Sequence, residues 1–474
     1  MSQKLMLEKI EKAQREIDTK REVVKHGKMR QCYHFMGETG WINDPNGLIY
    51  FRGKYHYFYQ HNPFNGFWDS MYWGHAVSND LIHWEYLPLA LAPSEYYDNH
   101  LKGGCFSGSA IEVNGDLYLY YTSVKYLDTP EDNITVPKDD VFEASQAMII
   151  SKDGFNFDNF NDKSLIIPAI EDKDLGHYTH TRDPKVWEYK DNYYIILGTK
   201  VKKDDNEKYT GKLLYYKSKD AKKWEYINSF ELHGLGDMWE CPDIFSVDGK
   251  YVLTLSPENY YTDGINPTNN AVFGIVDFEE ETCNTKFKKD DFRVVDLGLD
   301  YYAPQSFIDK EGRRVQIGWI RMNKPFENHT WLGMMSLPRV VEVKNGQIIT
   351  NVHPNISSLF TKEVDIDHVD LKNSICIKAT LKNNSKINIG GYEISFENNT
   401  ITGDRTKVCN QENVALKSST KVLEDNCYIE VYIDYGVVEV YINNGQYVMS
   451  HIVNPLESKL EASNLSDFKV YTIN

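Results

Sequence analysis

Five times along this chain a short apolar run enters a tight polar turn and returns as a second alternating run. This recurrence limits the possible folds more than any other feature. The segments are GLIYFRGKYHYFYQ (47–60), SAIEVNGDLYLYYT (109–122), KVWEYKDNYYIILGT (185–199), DIFSVDGKYVLTLS (243–256) and SFIDKEGRRVQIGW (306–319). Turns of the R-G, N-G, D-N and D-G kind between alternating runs close β-hairpins, since such residues tolerate the left-handed backbone that a two-residue turn demands. With Gly53, Gly115, Asn192, Gly249 and Gly312 as markers, the spacings are 62, 77, 57 and 63 residues. A second element follows three of the hairpins at nearly the same period: SNDLIHWE (78–85), SKDGFNF (151–157) and SKDAKKWE (218–225). Five β units of this length predict a five-bladed β-propeller, four strands per blade around a channel. The unit is longer than a WD repeat and lacks its signature.

Three acidic residues keep the same offset within this repeat. Asp44, Asp183 and Glu240 each lie nine residues before a hairpin marker, and each has a proline at one or two positions after it: Pro45, Pro184 and Pro242. A scattered acidic residue is usually a solvated surface group. Three at one offset predict side chains at the start of the innermost strands, converging on one mouth of the channel. Carboxylates so gathered are the equipment of glycoside hydrolysis: one acid protonates the leaving oxygen, and a second group attacks the anomeric carbon or activates water. Separations of about 5–5.5 Å favour retention and about 6.5–9.5 Å inversion.

A chain of 474 residues is long for one core. The repeat assigns residues 31–350 to the propeller. Residues 1–30 form a short helix, in which Met6, Ile10, Ala13 and Ile17 recur as an amphipathic stripe that packs on the body of the protein. From about 355 to 474 the pattern changes to strands such as CYIEVYID (427–434) and VVEVYINNGQYVMSHIV (437–453), which predict a C-terminal antiparallel β-sandwich. The fold class is therefore all-β. A net charge of −17 argues against nucleic acid or an anionic membrane as partner. It leaves room for a small phosphorylated substrate held in a local basic pocket. Lys102, Lys200, Arg321 and Lys324 are basic residues that could serve there; none is assigned that role. The seven cysteines are scattered with no CxxC pair, which disfavours a zinc ribbon or a thioredoxin-like site and suits reduced thiols. With no apolar run of signal-peptide or membrane-spanning length, the expected location is the cytoplasm.

The motifs around the carboxylates resemble those of glycoside hydrolase family 32, the invertases and sucrose-6-phosphate hydrolases. Trp41-Ile-Asn-Asp44-Pro-Asn-Gly47 is similar to that family's WMNDPNG box, and Phe106-Ser-Gly-Ser-Ala110, Arg182-Asp-Pro184 and Glu240-Cys-Pro-Asp243 to three further boxes in the right order. Trp73-Gly-His-Ala76, Tyr302-Ala-Pro-Gln305 and Met335-Ser-Leu-Pro-Arg339 match as well. The resemblance covers roughly residues 33–340 strongly, and Asp434-Tyr-Gly-Val-Val-Glu439 extends it to the C-terminal DxSxxExFxNxG pattern, a segment expected to be structural.

What the resemblance implies is a retaining enzyme that releases fructose from a β-fructofuranoside without metal or organic cofactor. Asp44 is its implied nucleophile, Glu240 its acid and then base, and Asp183 the residue that holds fructose hydroxyls and stabilises the transition state. Asn43, Gln60, Trp68, Phe106, Ser107, Arg182, Tyr302 and Trp331 match positions that line the sugar site. Neighbouring carboxylates would raise the acid's pKa, while Arg182 would hold Asp183 ionised. The chain departs from the family pattern at Ile42, at Tyr72 where His is frequent, at Trp68-Asp69 where Trp-Gly is usual, and at Gly436 where Ser is common. Asp69 would disfavour an anionic leaving group unless it points away. The expected partner is a small sugar, sucrose 6-phosphate or sucrose. A fructan or fructo-oligosaccharide exo-hydrolase, an inverting arabinan- or xylan-cleaving propeller, and a non-catalytic carbohydrate-binding propeller are the alternatives.

Overall fold

The computed structural model describes residues 3–27, 29–98, 103–131, 137–203, 209–260, 269–326, 330–457 and 459–473. Lys102 lies outside them. Five antiparallel sheets follow one another, each opening on a strand that lies innermost: Trp41–Phe51, Gly104–Val113, Thr181–Tyr189, Met238–Val247 and Tyr301–Ile308. These five strands touch in sequence, and the fifth returns to the first, which closes the ring. The blades, numbered one to five in chain order, are stitched to their neighbours by hydrogen bonds. Ser109 Oγ donates to Pro184 O at 2.7 Å, the Cys241 amide to Asp183 at 2.9 Å, and the Ser306 amide to Asp243 at 2.6 Å.

The turn chemistry explains the hairpins. Arg52-Gly53, Asn114-Gly115 and Asp248-Gly249 have positive φ at both residues, the conformation that matches strand twist. The third turn differs from expectation: Asn192 already pairs with Tyr189, so the turn is Lys190-Asp191. The second repeated element lies after the third strand of blades one to three. There Asp80, Asp153 and Asp220 each accept two following backbone amides and fold the chain back.

The helix Gln3–Lys25 packs by Met6, Ala13, Ile17 and Val24, with Ala13 against Tyr72 and Ala92 of blade one. Tyr72, the residue that departs from the family's His, is thus part of the helix seat. The C-terminal domain is one hydrogen-bonded network of nine strands. Its long strand Ile375–Ile389 pairs with three others and is shared between two layers of a sandwich. Ile, Val and Leu from these strands fill the space between them. Among the described residues no helix is long and apolar enough to cross a membrane.

Candidate active site

In every blade the innermost strand carries a bulge at the same end. Two residues face one on the next strand: Asn43-Asp44 opposite Gln60, Phe106-Ser107 opposite Thr122, Asp183-Pro184 opposite Leu197, Cys241-Pro242 opposite Leu255, and Ala303-Pro304 opposite Gly318. A bulge bends its strand and re-aims the side chains. Asp183 (φ 65°), Cys241 (47°) and Ala303 (48°) take the left-handed region that non-glycine residues avoid, a strain typical of functional positions. The equal nine-residue offsets do not correspond to equal places. Asp44 is the second residue of its bulge, Asp183 the first, and Glu240 precedes its bulge. The shifted third turn and a second bulge in blade one, Gly47-Leu48 opposite Tyr57, contribute to the difference.

The bulges nevertheless bring the three carboxylates together at one end of the axis. The Cys241 thiol lies 3.6 Å from Asp44 Oδ2 and 3.5 Å from Asp183 Oδ2. Asp44 accepts from Ser107 Oγ at 2.5 Å and from Asn43 Nδ2 at 3.1 Å. The donors are themselves held in a relay: Trp41 Nε1 to Asn43 Oδ1 (2.8 Å), Asn43 Nδ2 to Gln60 Oε1 (2.8 Å), and Gln60 Nε2 to Ser107 Oγ (2.8 Å). Burial raises Asp44 to about 6; Ser107 and Asn43 pull down, and the charge of Glu240 pushes up. Burial likewise raises Asp183 to about 7, with repulsion from Glu240 and Asp44 adding to it. Its backbone amide is fixed by Thr122 Oγ1 at 2.8 Å.

Glu240, like Asp44, is part-exposed, whereas Asp183 is buried. Arg182 donates to its Oε1 from Nη2 (2.9 Å) and Nε (3.2 Å), and the Tyr302 hydroxyl lies 2.5 Å from Oε2. Arg182 also reaches Glu258 Oε1 at 2.7 Å. This corrects the expectation for Arg182. Its guanidinium pairs with Glu240 and Glu258, and its pull on Asp183 is outweighed by burial. Glu258, at the end of the second strand of blade four and pushed up first by burial and then by Glu240, has no sequence motif to mark it. Cys241 could have been marked by its place inside the Glu-Cys-Pro-Asp box. Burial and the flanking carboxylates keep it a neutral thiol.

Trp68 and Phe106 meet edge to face at 5.8 Å, with Trp68 40% exposed, and form an aromatic rim over this mouth. Trp331 is set back: it is 3% exposed and packs edge-on against Phe326. Asp69 is also buried, and its charge bears on Tyr72 and Tyr126. Among the basic residues considered for an anion, Arg321 is spent on the carbonyls of Asn269 and Leu299 and on the face of Tyr302, and Lys324 pairs with Glu412. Lys200 remains.

The profile of glycosyl hydrolases family 32, N-terminal domain, matches residues 34–352, and that of the C-terminal domain matches 360–471. A sucrose-6-phosphate hydrolase of Escherichia coli is 32% identical, over 91% of this chain and 90% of that protein. A Bombyx mori family 32 β-fructofuranosidase, solved also as a mutant in complex with sucrose, superposes with a TM-score of 0.79 at 26% identity over 98% of both chains. The sucrose-6-phosphate hydrolase of Lactobacillus gasseri shares the fold, with a TM-score of 0.82 at 22% identity, covering 97% of this chain and 96% of that one. The chain belongs to glycosyl hydrolase family 32 and is a β-fructofuranosidase.

Proposed function

We propose that this enzyme hydrolyses sucrose 6-phosphate, and sucrose less efficiently, to release fructose with retention of configuration at the anomeric carbon. The observation that carries the assignment of roles is the contrast between two neighbouring carboxylates. Asp44 is gripped by neutral donors, while Glu240 sits between a cation and a phenol.

In the first step Asp44 attacks the fructosyl anomeric carbon as the bond to the leaving oxygen breaks, and Glu240 gives that oxygen its proton. The product is a fructosyl ester on Asp44. Arg182 and Tyr302 then solvate the carboxylate that Glu240 has become. In the second step Glu240 takes a proton from water as the water attacks the same carbon, and Asp44 leaves as a carboxylate. Asp183, held on its backbone by Thr122, receives fructose hydroxyls, whose hydrogen bonds tighten as the ring flattens toward an oxocarbenium ion. Asn43, Gln60 and Ser107 orient the nucleophile; Trp68 and Phe106 give the sugar an apolar wall. Trp331 backs that wall, and no metal or organic cofactor takes part. The reaction belongs in the cytoplasm, where a phosphorylated sugar would be met and where seven unpaired cysteines stay reduced.

Fructose release from sucrose 6-phosphate, sucrose and a short inulin-type oligosaccharide tests the substrate. A kcat/KM at least about tenfold higher for the phosphate ester, worth about 1.4 kcal/mol, is expected. Preference for the oligosaccharide would transfer the assignment to fructan hydrolysis.

A further inference from the structure

Arg182, which holds Glu240, also meets His180, the first of a group of donors that the reaction as derived does not use. His177 and His180 are in the loop before the innermost strand of blade three, and Lys200 is on that blade's second strand. The loop is pinned to the strand. Thr199 Oγ1 accepts the His177 amide at 3.0 Å and lies 2.7 Å from Thr181 Oγ1, and Thr181 Oγ1 is 2.7 Å from His177 O.

The hydrogen bonds fix both imidazole tautomers. His177 Nδ1 accepts the amides of Thr179 (3.1 Å) and His180 (3.2 Å). His180 Nδ1 lies 3.0 Å from Arg182 Nη1, and a guanidinium can only donate. Each ring therefore carries its proton on Nε2. The two rings are 4.9 Å apart, and His177 is 5.6 Å from Tyr209, whose face supports the Lys200 ammonium at 4.5 Å. Among the described residues Lys200 forms no ion pair, although it is part-buried and feels the charge of Glu258. Among the described residues, the acidic groups that act on Lys200 are Glu258 first, itself held by Arg182, then Asp140, which is largely exposed and 3.8 Å from His180 Nε2, and Asp237. Burial first, then the positive charges of Lys200 and Arg182, depress both histidines, to about 4 for His177 and about 2 for His180. They are neutral donors at pH 7 in a positive local field, in a protein of net charge −17.

We propose that His177, His180 and Lys200 form a cradle for a phosphate on the leaving hexose, so that specificity for the phosphorylated substrate is set in blade three. The proposal rests on the β-fructofuranosidase reading of the neighbouring carboxylates, because Glu240 faces the leaving oxygen and the cradle continues from its partner Arg182. It deepens that reading by naming the residues that select the phosphate. Two N–H donors and an ammonium that forms no ion pair with a described residue suit a phosphate dianion better than a neutral hexose.

The test compares the intact enzyme with Lys200→Met and His177→Gln. One readout is kcat/KM for sucrose 6-phosphate divided by that for sucrose; the other is calorimetric binding of glucose 6-phosphate against glucose. The expected result is a ratio at least tenfold lower in Lys200→Met, with a parallel weakening for glucose 6-phosphate and little change for glucose. A misfolded variant would lower both substrates together and leave the ratio of the folded fraction intact. A ratio that stays within twofold of wild type in both variants overturns the cradle. If the wild type releases fructose from neither substrate, the catalytic reading fails and binding alone decides: loss of glucose 6-phosphate affinity in Lys200→Met sustains the cradle, and unchanged affinity removes it.

Discussion

At the scale of single residues, the proposed chemistry depends on how Asp44 is kept ready to attack. Burial costs its charged form, and the hydroxyl of Ser107 and the amide of Asn43 recover part of that cost. With a carboxyl near 6, the free enzyme loses its proposed nucleophile as pH falls through 6, so the acidic limb of kcat/KM should lie near pH 6 and not near 4. Ser107→Ala removes a hydrogen bond that favours the anion, which raises the carboxyl further. The limb should move to higher pH by roughly one unit, read from a pH profile of kcat/KM; an unmoved limb would assign it to another group. The boxes of the sequence name Asp44, Ser107 and Arg182. They do not say whom Arg182 meets, since a residue adjacent in sequence on a bulged strand points elsewhere: its guanidinium serves Glu240 and Glu258 while Asp183 turns toward Cys241.

At the scale of elements, hairpins were legible because their turns have their own chemistry, and the four-stranded blade followed from the repeat. The bulges were not. A bulge adds a residue without any composition of its own, so counting along the chain misplaced the three carboxylates relative to one another. Gly436, a departure from the family pattern, has a local cause. It has φ 79°, and a Cβ there would stand 2.3 Å from the Phe326 ring. The turn between Asn426–Asp434 and Val437–Ile442 thus presses on the propeller with no side chain between. Restoring the common serine by Gly436→Ser should destabilise the fold by about 1–3 kcal/mol through overpacking and left-handed strain, measured by denaturant unfolding. Unchanged stability would show that Phe326 yields freely.

At the scale of the whole molecule, the sandwich is docked on the propeller by buried charge. Asp434 accepts the amides of Cys32, Tyr33 and His34 at 2.8, 3.0 and 3.0 Å. Glu439 accepts from His34 Nε2 at 3.2 Å, the Leu337 amide at 2.9 Å and Arg339 at 2.9 Å. The two acids of the Asp-x-Gly-x-x-Glu segment, expected to be structural from sequence, are the ones that clamp the domains. Burial disfavours the charged form of His34, yet the hydrogen bonds to Asp434 and Glu439 prevail and raise it to about 9. A histidine raised in the folded state contributes its full stability below its unfolded pKa of about 6.5 and loses it as pH rises through 9. Unfolding free energy should therefore fall by on the order of 3 kcal/mol between pH 6.5 and 9.5, and His34→Gln should flatten that decline. An equally steep decline in the variant would place the titration in another group.

The central claim is that Asp44 forms a covalent fructosyl ester which a second molecule then opens from the same face. Running the reaction in aqueous methanol and identifying the methyl fructofuranoside by NMR addresses it directly, since this product, unlike fructose, does not mutarotate. The account predicts the methyl β-fructofuranoside from a β-fructofuranoside substrate. The methyl α-anomer as the enzymatic product would mean single displacement by solvent and would contradict the role given to Asp44.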